Sequence, residues 1–230
     1  MLKNHLKRIA SPRSWSILRK KHKFVTRPHA GAHSLAYGLS LNTIMKDLLG
    51  KASTTKEVKR VLNKQEVLVD ARKRYDEKFN VGLMDVIHFP LEKEQYRVVF
   101  SQKGKLVAIA IPEKEANVKL CKIVSKKIIP GGKFQLGFSD GRSLILEKNA
   151  YTVGDSLLLE LPSQKVKEHL PLQSGMTVLI YKGKHAGSVG QLESIDGQVV
   201  FIKVGQETIQ TKKAYTFVVG EKKPIIKCSP

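Results

Sequence analysis

Acidic residues are missing from the opening of this chain: none precedes Asp47, while Lys3, Lys7, Arg8, Arg13, Arg19, Lys20, Lys21, Lys23 and Arg27 all fall in that stretch. Over 230 residues, 41 Lys and Arg face 20 Asp and Glu, a formal net charge of +21. Charge this one-sided repels itself in a compact chain and makes physical sense where a polyanion neutralises it, which points to nucleic acid. Cysteine is scarce too. Cys121 and Cys228 lie far apart without a Cys-x-x-Cys partner, which argues against a disulfide framework or a zinc cluster and leaves one core thiol and one tail thiol.

Long apolar runs are absent as well. Leu106 to Ile111 and Leu157 to Leu159 are far too short to cross a bilayer, and no apolar segment follows the basic N-terminus. Neither a basic amphipathic helix nor a lipidation signal offers a route to anionic lipid, so we expect no membrane partner and a cytoplasmic location. Catalytic patterns are missing: there is no phosphate-cradling P-loop, no Gly-x-Gly-x-x-Gly, no Gly-x-Ser-x-Gly and no His-Glu-x-x-His. His29 and His33 have helical metal-ligand spacing, but Pro28 and Ala30-Gly31-Ala32 make a poor helix, so no metal is expected there. Asp140 reads as a turn residue. The chain is expected to have no catalytic residue, no cofactor and no small-molecule substrate.

What is present is enough apolar content, 41%, for real cores, divided over two or three small domains. Residues 1–36 mix cations with prolines, four histidines and the lone Trp15, without an apolar period, and read as an extended basic arm that is disordered until bound. In the bound state Trp15 is expected to stack on a base or to plug a small apolar pocket. From Ser40 the period turns helical, with Leu41, Ile44, Met45 and Leu48 on one face and Gly50 as the cap. Thr54 and Glu57 form a capping box for a second helix buried through Val58, Val61 and Leu62. Its opposite side, about 200° around, carries Lys56, Lys59, Arg60 and Lys64 as one basic ridge.

Val67 and Val69 alternate as a strand before a turn at Asp70-Ala71 and the run Arg72, Lys73, Arg74, and a further strand covers 85–89. Beyond residue 95 the pattern is mostly β. A hairpin turns at Gln102-Lys103-Gly104, strands over 122–129, 134–139 and 142–146 flank turns at 130–132 and 140–141, and residues 156–161 close a central β domain. Four or five short strands from Gly175 onwards suit a small barrel, with a loop at Lys182-Gly183-Lys184-His185-Ala186-Gly187. The boundaries expected are an arm over 1–36, a two-helix domain over 37–95, a central β domain over 96–172, a barrel over 173–215 and a tail over 216–230.

The two-helix unit with its ridge and Val67-Leu68-Val69-Asp70 resembles the small RNA-binding domain named after ribosomal protein S-four. Val178-Leu179-Ile180 followed by Gly183, Gly187, Gly190, Leu192 and Ile195 resembles a KOW motif on an SH3-like barrel. Together with His5-Leu6-Lys7-Arg8, Ser11-Pro12-Arg13-Ser14-Trp15 and Val81-Gly82-Leu83-Met84-Asp85-Val86-Ile87, this order resembles the archaeal and eukaryotic-type S-four-e family of the small ribosomal subunit over nearly the whole chain. Two positions depart from the family pattern: Ala71 stands where glycine is usual after the aspartate, and Asn80 where proline is usual.

The resemblance implies an α+β, mostly β fold and a structural role on small-subunit rRNA beside neighbouring ribosomal proteins. The residues expected to meet RNA are the arm from Lys3 to Arg27 with Trp15, the ridge Lys56, Lys59, Arg60 and Lys64, the turn Arg72 to Arg74, and Lys182, Lys184 and His185 on the loop turned by Gly183, Gly187 and Gly190. Two other readings compete. KOW modules also occur in elongation factors, which suggests a dissociable RNA-binding regulator, and S-four-type domains are fused to pseudouridine synthases, although no catalytic aspartate motif is evident.

Overall fold

The structure is a computed structural model that describes residues 5–64, 66–147 and 150–228, so Lys3 lies outside the described residues. The chain forms two units, Met1–Val99 with Lys105–Asn117, and Phe100–Gly104 with Val118–Pro230. It is α+β and mostly β, as expected.

In the first unit a five-stranded sheet runs in the order Arg72–Lys73, Leu68–Val69, Val86–Phe89, Glu94–Phe100, Leu106–Ala110. Val86, Val99, Ile109 and Ile111 pack together with Ala116 from one side of it. The hairpin of 94–110 therefore belongs to this sheet and not to the central β domain, and the boundary expected near 95 falls after Asn117. Arg97, 0% exposed on one of these strands, reaches Glu115 at 2.6 Å and so ties the following turn to the sheet.

Helix α1, Leu41–Thr43, is capped by Ser40, whose hydroxyl oxygen accepts the Thr43 N–H at 3.2 Å. It runs straight into one π-helical turn, Ile44–Leu48, closed by the Leu49 N–H on the Ile44 carbonyl at 2.9 Å. The expected stripe holds: Leu41, Ile44 and Met45 are wholly buried, with Leu48 half-buried. Helix α2, Thr55–Lys64, has the capping box, since the Glu57 N–H donates to Thr54 Oγ1 at 3.2 Å and Glu57 Oε2 accepts from Ser53 at 2.8 Å and Thr54 at 3.2 Å. Those donors, Ser53 first, hold the Glu57 carboxyl below its ordinary range. Val58 and Leu62 are fully buried beneath it.

The turn after Val69 puts both Asp70 (φ 52°) and Ala71 (φ 60°) in the left-handed region, the geometry of a two-residue hairpin. Asp70 contributes beyond its backbone, because Oδ1 accepts the Val86 N–H at 3.0 Å. Alanine pays for this conformation in steric strain that glycine avoids. The Asn80 departure has a use: its amide donates to the His33 carbonyl. His33 in turn bonds Asp85 at 3.0 Å, and Asp85 accepts the Gly82 N–H at 2.8 Å. A Cβ on Gly82 would lie 2.2 Å from the His33 ring, so only glycine fits there.

The N-terminal segment is not an extended arm. Leu6–Lys7 pairs with Phe24–Val25, the Leu106 N–H donates to the Ser14 carbonyl at 2.6 Å, and Trp15 is 1% exposed with Nε1–H on the Leu35 carbonyl at 3.0 Å. Arg8, 3% exposed, donates from one nitrogen to both oxygens of Asp47 at 2.7 Å. Long-range partners of this kind overcome the low apolar content that suggested disorder.

The second unit holds two antiparallel five-stranded sheets. One runs Ser143–Leu146, Lys133–Phe138, Val118–Ile129, Ser156–Glu160, Val166–Leu170, over a core of Cys121, Ile123, Leu136, Phe138, Leu157 and Leu159. The edge strand Val166–Leu170 was not expected, because Lys167, Glu168 and His169 break the apolar alternation. The other sheet runs Glu207–Lys212, Val199–Val204, Val189–Asp196, Thr177–Ile180, Thr216–Gly220. Its last strand falls in the segment expected to be a tail. Phe217, Val218 and Val219 are at most 2% exposed, and Ile226 and Cys228 are buried beyond them, so Cys228 is not a tail thiol.

Asp140, 6% exposed, meets Lys119 at 3.0 Å and Arg142 at 3.1 Å, a carboxylate shared by two cations. Asp140→Asn is expected to cost about 3 kcal/mol or more, as removal of one partner from a buried ion pair does. Ala71→Gly is expected to gain about 0.5–1 kcal/mol. Urea denaturation of both variants beside the parent checks these opposite signs.

Candidate nucleic-acid interface

In the first unit, Lys56, Lys59, Arg60 and Lys64 are all exposed on the side of α2 away from Val58 and Leu62, which is the ridge expected from the helical period. Lys59 stands 3.2 Å from Glu77. The basic turn joins this ridge through the segment leaving α2, where Lys73 Nζ lies 3.4 Å from Glu66. Burial works to lower the Lys73 pKa, but Glu66 and Tyr75 outweigh it and hold it above the ordinary value. Arg72 is exposed, whereas the Arg74 guanidinium is half-buried, stacked 4.2 Å over the Phe79 ring.

The N-terminal cations divide into two sets. Lys7, Arg13, Lys20, Lys21, Lys23 and Arg27 are exposed. Arg8 turns inward to Asp47, and Arg19 donates to the carbonyls of Ile9 at 3.2 Å, Ser11 at 2.9 Å and Pro12 at 2.8 Å. Of the two roles expected for Trp15, burial leaves the pocket plug, with no ring face open to a base. These three residues hold the segment in shape, and the exposed six present charge.

In the second unit Lys184 and His185 are exposed at the loop tip, and Lys182 Nζ lies 5.3 Å from the Tyr181 ring centre. Gly183 (φ 89°) and Gly187 (φ 96°) adopt the left-handed backbone this loop requires. Gly190 serves packing instead, since a Cβ there would meet the Lys203 carbonyl oxygen at 2.3 Å.

Sequence reasoning missed Lys122. Its ammonium donates to the carbonyls of Lys213 at 3.3 Å, Ala214 at 3.0 Å and Thr216 at 2.5 Å, beside a cavity of about 340 Å³ also lined by Tyr181, Lys182 and Lys213. Burial, then the charges of Lys182 and Lys213, lower its pKa to about 8. The available signal was a lysine inside the apolar run Leu120-Cys121-Lys122-Ile123, where a strand buried on both faces leaves no exposed side.

Among the described residues no group of three or more His, Cys, Asp or Glu could hold a metal, and no helix is long and apolar enough to cross a membrane. His33, which the spacing offered as a ligand, is bound to Asp85. The fold and the exposed cations define a small, mostly β, strongly basic protein with a cationic surface.

Comparison with known proteins narrows the class. A model described as Ribosomal family S4e matches residues 92–166, and one described as the RS4NT (NUC023) domain matches residues 2–36. The chain is 39% identical to small ribosomal subunit protein eS4 of Methanocaldococcus jannaschii, over 98% of this chain and 97% of that one, and 37% identical to that of Korarchaeum cryptofilum, over 97% and 96%. The crystal structure of the 30S ribosomal protein S4e from Thermoplasma acidophilum matches with a TM-score of 0.71 at 33% identity, covering 80% of this chain and 96% of the other. The chain belongs to the eS4 family, a family of ribosomal proteins and not of enzymes.

Lys122 yields a pH prediction. With a folded pKa of about 8 against an ordinary 10.5, the folded chain gives up this proton first. Between those values the unfolded chain binds more protons, so the contribution of Lys122 to stability rises with pH across that window. Thermal denaturation below, within and above the window should show this rise in the parent and its loss in Lys122→Met.

Proposed function

We propose that this chain is a structural component of the small ribosomal subunit, which binds and stabilises folded small-subunit rRNA and has neighbouring ribosomal proteins as its other partners, in the ribosome of the cytoplasm. The observation that carries the reading is the partition of charge: buried cations pair with carboxylates, while the α2 ridge, Arg72, the six outward cations of the N-terminal segment and the Lys184-His185 loop tip stand exposed. Such a surface binds by neutralising phosphates and releasing condensed counterions, with shape as the selector on folded RNA. Arg72 and Arg60 add planar guanidinium groups suited to bidentate phosphate contact. The N-terminal segment, the α2 ridge with the basic turn, and the loop of the last sheet are three separate points of attachment, which favours a resident component over a factor that must dissociate. The names of the relatives support the same reading.

The test is the salt dependence of binding to a small-subunit rRNA transcript. Changing Lys56 and Arg60 together to Gln is expected to weaken binding and to reduce the slope of log affinity against log salt by about 1 to 2. Parental affinity and slope in that variant would remove the ridge from the interface. Failure of the parent to bind rRNA above background would overturn the reading as a whole.

A further inference from the structure

The exposed ridges account for phosphate contact along a backbone, but the first unit also contains a cavity of about 540 Å³ at the N-terminal end of α2. That size lies within the range of small-ligand pockets. Ser53, Thr54 and Thr55 form its wall at the start of the helix, where the Glu57 carboxylate already takes the Ser53 and Thr54 N–H groups. Arg27, Lys46 and Lys78 line it too. Its carboxylates are paired, Asp47 with Arg8 at 2.7 Å and Glu77 with Lys59 at 3.2 Å, and cations outnumber them along the lining.

Two further features bear on what this cavity takes. Phe24, 49% exposed, forms part of the rim, an aromatic ring left half in water on a strand of only two residues. Two side chains of the wall also carry buried polar atoms without a hydrogen-bond partner, the donor Arg8 Nε and the acceptor Asn42 Oδ1. An inorganic phosphate, with its oxygens and P–OH, can serve the cations and both of these atoms, but it offers nothing to the phenyl ring. A nucleotide brings a phosphate for the cations, hydroxyl or amino donors for the amide oxygen, and a flat base for the phenyl ring.

We propose that this cavity takes a single unstacked nucleotide of the bound rRNA, with its base against Phe24 and its phosphate towards Lys46 and Lys78. The inference rests on the rRNA-binding reading and adds to it a site that grips one splayed-out residue, where the ridges grip backbone. Insertion of a base fixes the register of the protein on the RNA, which diffuse phosphate contacts cannot do.

The experiment measures affinity for the rRNA transcript over a salt series with the full chain carrying Phe24→Ala, Phe24→Tyr, the pair Lys46→Gln and Lys78→Gln, or the ridge pair at Lys56 and Arg60. Loss of one base–aromatic stack in Phe24→Ala is expected to weaken binding about tenfold with an unchanged salt slope, and Phe24→Tyr should restore it. The Lys46 and Lys78 pair should lower the slope by about 1 to 2. Phe24→Ala binding within about twofold of the parent, while the ridge pair weakens, would overturn the nucleotide site and leave rRNA binding standing. In that case equilibrium dialysis with free nucleoside monophosphate distinguishes a pocket for unattached nucleotides from one for neither. A parent that does not bind rRNA would overturn both readings.

Discussion

The structure depends on where its few carboxylates go. A buried cation without a counter-charge is among the costliest things a fold can contain, and this chain buries several: Arg8 is 3% exposed, Arg97 0% and Lys119 1%. Each is met by a carboxylate, from Asp47, Glu115 and Asp140 respectively. Asp85 holds His33, and Asp155 holds His169 at 2.9 Å. Burial works to raise the Asp155 pKa, but the Leu172 N–H, the Thr152 hydroxyl and N–H, and His169 outweigh it and keep the carboxyl below its ordinary value. Each such pair takes one acid and one base out of the surface together, so the cationic exterior reflects the excess of 41 Lys and Arg over 20 Asp and Glu in the sequence. Lys122 follows a different rule, since three backbone carbonyls hold its charge.

Local periodicity carried much of the fold. The stripe of Leu41, Ile44 and Met45, the capping box at Thr54 and Glu57, and the turn at Asp70-Ala71 all act within a few residues, so spacing alone reveals them. What escaped was non-local. Arg8 finds Asp47 thirty-nine positions away, and Trp15 is seated on the Leu35 carbonyl, so a stretch that looks disordered by composition is pinned by partners composition cannot show. Thr216–Gly220 reads as a short apolar stretch near the end of the chain until Thr177–Ile180 pairs with it. Val166–Leu170 lies at a sheet edge, where one apolar side chain at each end is enough.

The proposed interface was legible in the same proportion. A ridge on one helix follows from a 100° rotation per residue, and all four of its cations are exposed. Sequence cannot say which arginine of a basic run turns inward, because that is decided by carboxylates and carbonyls brought near by folding. Arg8, Arg19 and Arg74 are therefore structural where Arg13, Arg27 and Arg72 are exposed. The cavity beside α2 was equally invisible, being assembled from the N-terminal ribbon, α1 with its π-helical turn and the turn before Phe79.

The most direct test of the central claim is sedimentation of cell extract through sucrose gradients at physiological and then at high salt, following this chain by mass spectrometry. A cationic surface anchored at several separate points on rRNA predicts stoichiometric retention in the small-subunit peak at both salts. A chain that runs free, or that leaves the particle at modest salt and follows other complexes, would contradict the account.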